Sequence, residues 1–146
     1  MILQLTPNSH PILHQKIKKC SDDLNRREIS QILEENMRYH DGVGLSANQI
    51  GIKERVFVMM INYETEETIT CFNPRIIKSY AGKVEMEEGC LSFPDKFINV
   101  YRPDRIVVKY EDEDKNEHKL KLEGFSSRVF QHEYDHLQGI VFTDHK

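Results

Sequence analysis

Five consecutive residues, His132-Glu133-Tyr134-Asp135-His136, have the types and the spacing of a metal-assisted hydrolytic site. On a helix, positions i and i+4 bring two imidazoles to one ion, with the intervening Glu133 beside the remaining open position. The competing explanation is a chance pentapeptide on a polar helix face, or two partly buried histidines bonded to backbone. Because His132 and His136 continue the apolar stripe of Phe125 and Val129, they are expected to face inward. Burying two imidazoles without partners is costly, which favours a shared ligand.

Two histidines do not complete a metal site. Peptidases built on this pentapeptide take a third ligand downstream. One such pattern needs Gly three residues past the second His and a third His three further on; Gly139 fits and Phe142 does not. With ten residues after His136, no distant downstream Glu is available either, so the third ligand is expected upstream, where a thiolate is a strong zinc or iron ligand. Cys71 falls in an expected strand, where a buried inert thiol is the usual explanation, and Cys20 in a polar stretch expected to be exposed. Cys90 lies in Glu88-Gly89-Cys90-Leu91-Ser92-Phe93-Pro94, a Gly- and Pro-bounded turn after a strand, where function commonly resides. Local context favours Cys90, with Cys20, Cys71 and His118 as alternatives.

The elements that must position these residues are legible in outline. Apolar residues at Ile29, Ile32, Leu33 and Met37 mark one helical face over 28–40, with Gly42 at the expected helix terminus. The chain before residue 26 reads as irregular. Short strands are expected at 55–62, 68–72, 75–80, 83–88, 97–100 and 105–112, the last pairing as a hairpin with 117–122 across the polar turn 113–116. After Gly124 the period changes from two to 3.6, giving a C-terminal helix that carries the pentapeptide. An N-terminal helix, antiparallel strands and a C-terminal helix describe one α+β domain spanning 1–146.

Composition narrows the class. With 38% hydrophobic and 30% charged residues the chain is a globular domain, and its longest apolar run, 56–61, is far short of a membrane span of about 18 residues. A formal charge of −4 argues against duplex binding. Three scattered cysteines and no export signal point to a reducing compartment.

Taken together, three segments resemble the motifs of the peptide deformylase family, in the right order: Gly42-Val43-Gly44-Leu45-Ser46-Ala47-Asn48-Gln49, Glu88-Gly89-Cys90-Leu91-Ser92 and Gln131-His132-Glu133-Tyr134-Asp135-His136. The resemblance continues through Asn73-Pro74 and Tyr101-Arg102-Pro103. Ser46 stands where the family usually has Ala. The resemblance implies Cys90, His132 and His136 as ligands of one divalent ion, Fe(II) in the cell, with Zn(II), Ni(II) or Co(II) also suited to the donor set. It implies hydrolysis of the formyl group of N-formylmethionyl nascent peptides, with Glu133 carrying the proton and the Gln49 side chain and the Leu91 N–H stabilising the oxyanion. Val43, Gly44, Gly89, Phe125 and Val129 are expected to line the methionine pocket. Glu88, Arg102 and Asp135 are expected to orient the ligands, with surface ion pairing as the alternative.

The remaining histidines, His10, His14, His40 and His145, are expected to be solvent-facing or structural, and 111–114 a solvated turn. The family's C-terminal docking helix has no counterpart after Leu137, so any ribosome proximity would use another surface. The expected setting is the cytoplasm of a bacterium or an infected host, rather than an organelle, and the expected state a monomer without nucleic acid or membrane partners. The rival readings are a zinc peptidase and a metal-stabilised, non-enzymatic binding module.

Overall fold

The structure is a computed structural model and describes residues 1–145. Two α-helices, α1 (Arg26–Tyr39) and α2 (Gly124–Leu137), flank a five-stranded antiparallel sheet in the order β1-β2-β3-β6-β7. The strands are β1 (Gly44–Ser46), β2 (Val56–Asn62), β3 (Glu67–Ser79), β6 (Arg105–Glu111) and β7 (Glu117–Glu123); β4 (Lys83–Cys90) and β5 (Phe93–Pro103) form a separate two-stranded sheet. The architecture is α+β.

Strand β2 shows why the sheet lies between the helices. Its alternate residues Phe57 and Met59 enter one apolar cluster with Val129, Phe130 and Leu137 of α2. Val56 and Val58 enter a second with Leu33 and Met37 of α1. Side chains alternate between sheet faces, so a strand buried on both sides reads as a continuous apolar run. The Phe57 and Phe130 rings meet edge to face at 5.0 Å, fixing the height of α2 over the sheet.

Helix α1 starts two residues before the expected position because Asn25 Oδ1 accepts from the Glu28 N–H at 3.2 Å. Its C-terminal turn places Asp41, not Gly42, in the left-handed region, with φ 57°. Gly42 is small for another reason: a Cβ there would lie 2.7 Å from Leu91 Cδ1. The small-residue run after it contains β1 and a 3-10 turn, Ala47–Ile50, and the irregular start contains another, Pro11–His14.

Other expectations are corrected. The strands expected at 68–72 and 75–80 are one strand, β3, bent where Asn73 takes φ 50° and the register shifts. The segment 111–114 is more than a solvated turn: Glu111 pairs with Arg26, Glu113 accepts from Ser30, and Asp114 pairs with Arg27, joining the hairpin to α1. Cys20 is buried, because its N–H donates to Asn73 Oδ1 and its thiol to the Arg55 carbonyl, which draws the segment onto β3.

Two left-handed glycines separate conformational strain from crowding. Gly51 (φ +80°) has nothing within 4 Å of a virtual Cβ, whereas at Gly139 (φ +78°) that atom would meet the Gln15 backbone at 2.8 Å. Gly51→Ala is expected to cost about 1 kcal/mol in urea unfolding, and Gly139→Ala on the order of 3 kcal/mol, because backbone overlap adds to the dihedral cost.

Candidate metal centre

Cys90 is the last residue of β4, paired with Phe93 across a tight Leu91-Ser92 connection, so it sits at a strand end rather than in an open turn. Because strand side chains alternate, Glu88 and Cys90 address the same face of β4. On α2, Arg128, His132 and His136 are successive i+4 neighbours. The two rows meet: one ligand atom each of Cys90, His132 and His136 lies within 4.8 Å of the others, with Cys90 Sγ 3.4 Å from His136 Nε2. Among the described residues this is the group whose donor atoms could hold a metal ion. The alternatives lie elsewhere: Cys71 is fully buried in the core, Cys20 bonds Arg55, and His118 pairs with Asp112.

A buried charge network adjoins these three donors. Glu88 Oε1 lies 3.0 Å from His132 Nδ1, leaving Nε2 as the ring atom available to an ion. Arg102 bridges Glu88, at 2.6 and 3.0 Å, and Asp135, at 2.8 Å. Arg128, which sequence reasoning missed, donates to Glu88 and to the Val100 and Val84 carbonyls. The signal for it was a charged residue on the inward stripe four positions before His132. His145, expected to be solvent-facing or structural, bonds Asp135 at 2.9 Å, and the Phe142 ring lies 5.8 Å from that of His132.

A cleft of about 500 Å³ opens beside the group, lined by Cys90, His132 and Glu133. Gln49 and Leu91 also line it, as do Val43, Gly44, Gly89, Phe125 and Val129, whereas Arg102, Asp135 and His136 do not. The Gln49 amide is oriented from the 3-10 turn: Oε1 accepts from the Ser46 N–H at 3.0 Å, and Nε2 lies 3.2 Å from Ser92 Oγ and 3.5 Å from Cys90 Sγ. At Gly44 a Cβ would lie 2.8 Å from Glu133 Oε2 and 3.0 Å from Val129, so only glycine lets β1 approach the carboxylate this closely. Phe125 departs from the inward stripe: in the first turn of α2 it is 44% exposed, edge-on to Tyr63.

The comparisons with known proteins agree with this geometry. The family model described as polypeptide deformylase matches residues 2–146. The chain belongs to that family. A peptide deformylase of Thermotoga maritima is 38% identical over 135 residues, covering 92% of this chain and 80% of the relative. The crystal structure of peptide deformylase from that organism superposes with a TM-score of 0.94 at 36% identity, covering 99% of this chain and 97% of that one. A probable peptide deformylase from Synechococcus phage S-SSM7 gives 0.90 at 36% identity, with 99% of each chain covered.

Charge at this deformylase-family site is strongly perturbed. Burial opposes ionisation of Glu88, but hydrogen bonds from His132 and Arg102 outweigh it and hold the carboxyl at about 2. Burial would drive the proton from His132, yet Cys90 and Glu88 hold it up to about 10; His136, buried and next to those cations, is pushed well down. Glu133 is raised to about 7, chiefly by burial, and its Oε1 has no hydrogen-bond partner.

A depressed carboxyl stabilises the fold above its unfolded value and loses that contribution as pH falls through its folded value. Acid unfolding is therefore expected to gain a component between pH 4.5 and about 2 that Glu88→Gln removes. The same variant is expected to weaken metal affinity by about 10–100-fold, read by chelator competition, because His132 loses the partner that fixes its ring.

Proposed function

We propose that the chain removes the N-formyl group from N-formylmethionyl nascent peptides, giving formate and a free amino terminus. The observation that carries this reading is the convergence of Cys90, His132 and His136 within 4.8 Å beside a cleft that also holds the Glu133 carboxylate, whose Oε1 has no hydrogen-bond partner. One thiolate and two imidazoles suit a divalent ion with a position left for water; we take Fe(II) as the ion in the cell, the same donors also suiting Zn(II), Ni(II) and Co(II). Bound there, the ion supplies Lewis acidity and an activated water.

The chain's own residues do the rest. Glu133, poised near neutrality by burial, accepts a proton from water and passes it to the leaving amine. The Gln49 Nε2–H and the Leu91 N–H stabilise the developing oxyanion. Val43, Gly44, Gly89, Phe125 and Val129 bind the methionine end of the substrate. Glu88, Arg102 and Asp135 hold the ligands in place. Among the described residues no helix is long and apolar enough to cross a membrane. We place the protein in the cytoplasm as a monomer, acting on chains as they leave the ribosome.

The direct test is formate release from formyl-Met-Ala-Ser with metal analysis on the same anaerobic sample; cleavage of an internal peptide bond instead would support a peptidase. Glu133→Ala is expected to retain metal and lose nearly all turnover, whereas Cys90→Ala loses both. Full metal occupancy in the Cys90 variant would move the ligand elsewhere. Gln49→Ala is expected to lower kcat by about 10²–10³ with metal retained, as removal of one oxyanion donor does.

A further inference from the structure

We propose that the 3-10 turn after α2, Phe142–His145, positions the metal centre: Phe142 sets the His132 ring against the Cys90 end of the hairpin, and His145 steadies a hydrogen-bond chain that ends on His132. This rests on the deformylase reading above and names residues which that reading leaves without a role. Phe142 is 1% exposed, yet among the described residues it belongs to neither of the two apolar clusters that flank the sheet. Its ring instead meets the Phe93 ring at 5.3 Å, near edge-on, and the His132 ring at 5.8 Å. Phe93 is the register partner of Cys90, so one side chain touches a ligand on α2 and the residue paired with the ligand on β4. His132 and Phe93 both line the cleft and Phe142 does not, so Phe142 acts on the centre through them.

The far end of the turn reaches the same histidine by a polar route. His145 Nε2 donates to Asp135 Oδ2 at 2.9 Å, and the same oxygen accepts from Arg102 at 2.8 Å. Arg102 grips Glu88 through Nε and Nη2, and Glu88 Oε1 lies 3.0 Å from His132 Nδ1. Hydrogen bonds in series in a buried setting orient one another. The χ2 torsion of a histidine is soft, so a bond at Nδ1 alone leaves the ring free to rock about it; the Phe142 ring removes that freedom. The turn is itself braced. The Asp144 N–H donates to the Val141 carbonyl at 2.9 Å, Asp144 Oδ2 accepts from the Val141 N–H at 3.0 Å, and the Ile140 N–H ties the segment to the Asp135 carbonyl. An aromatic contact and a hydrogen-bond chain thus converge on one imidazole.

The test reads the ion and the reaction separately, on protein loaded with Co(II). In His145→Ala, chelator competition is expected to show the ion held about three- to tenfold more weakly, less than the loss of a ligand's direct partner costs. His145→Gln, whose amide can still donate to Asp135, should restore it. In the Asp135→Ala background His145→Ala should add nothing, because members of one network do not act additively. Phe142→Leu keeps the turn apolar and is expected to lower kcat per bound ion about tenfold with KM within about twofold. It should also shift the thiolate-to-cobalt absorption band that Cys90→Ala abolishes. A packing role alone predicts a lower Tm with cobalt band, affinity and kcat per ion unchanged. That outcome in either variant, or full additivity of His145→Ala with Asp135→Ala, overturns the proposal. His145 lies at the surface, so its variants decide the matter even where Phe142→Leu does not fold.

The cobalt band and the affinity need no turnover. Their shifts in the variants, without formate release from formyl-Met-Ala-Ser by any form, would keep the positioning role and remove the deformylase reading. Formate release by every form, with band and affinity unshifted, would do the reverse.

Discussion

The arrangement depends on one buried carboxylate. Glu88 accepts from Arg102 on its own hairpin and from Arg128 and His132 on α2. An ion pair removed from water gains little net stability while intact, but losing one partner leaves an uncompensated buried charge and costs about 3–5 kcal/mol. The β4–β5 hairpin shares no ladder with the main sheet, and a lone two-stranded sheet is marginal in water. The Glu88 network is thus the charged tie that sets the hairpin against α2, beside the bonds from Gln131 and Ser127 to the Pro103 carbonyl. Cys90 lies two residues from Glu88 on the same strand face, and His132 four residues from Arg128 on the same helix stripe, so the contacts that join the elements also bring thiol and imidazoles together.

A second set of bonds fixes the other wall of the cleft. The Thr6 N–H donates to the Gln49 carbonyl and the Thr6 hydroxyl to that of Asn48, while Asn48 Nδ2 donates to the His136 carbonyl at 2.8 Å. The N-terminal arm, the 3-10 turn and the end of α2 are locked in series. Ser46 adds its hydroxyl to Asn48 Oδ1 and Gln49 Oε1. A polar side chain at this position is accommodated because the turn supplies acceptors, and it leaves the Gln49 amide facing Cys90 and Ser92.

Periodicity makes the two helices and most strand positions readable, because α1 buries one apolar stripe and α2 keeps its apolar residues at helical spacing even though 127–133 are buried on every side. What it missed depends on partners distant in sequence. The left-handed Asn73 makes one bent strand where the sequence suggests two, since Pro74 reads locally as a break. Cys20 is buried by hydrogen bonds to residues 35 and 53 positions away, which a polar neighbourhood cannot reveal. Arg128 went unremarked in the sequence because its three acceptors come from β4 and β5. Motif spacing, in contrast, groups His132, Glu133 and His136 directly, since the helical repeat translates their interval into a shared face, while Cys90 is favoured over Cys20, Cys71 and His118 by its local context and by the family resemblance.

The small residues of the first motif then acquire a definite physical meaning. A side chain at Gly42 would displace Leu91, and one at Gly44 would displace Glu133. The first contact joins the small-residue run to the loop after Cys90, the second joins it to the histidine-bearing helix. Three segments remote along the chain are thereby held at distances set by missing Cβ atoms as much as by polar bonds. A carboxylate raised to about 7 needs close apolar and backbone walls that exclude water, and the approach of β1 at Gly44 provides one. A methyl group added there would meet Glu133 Oε2 at 2.8 Å and force the carboxylate away from the position that β1 now gives it.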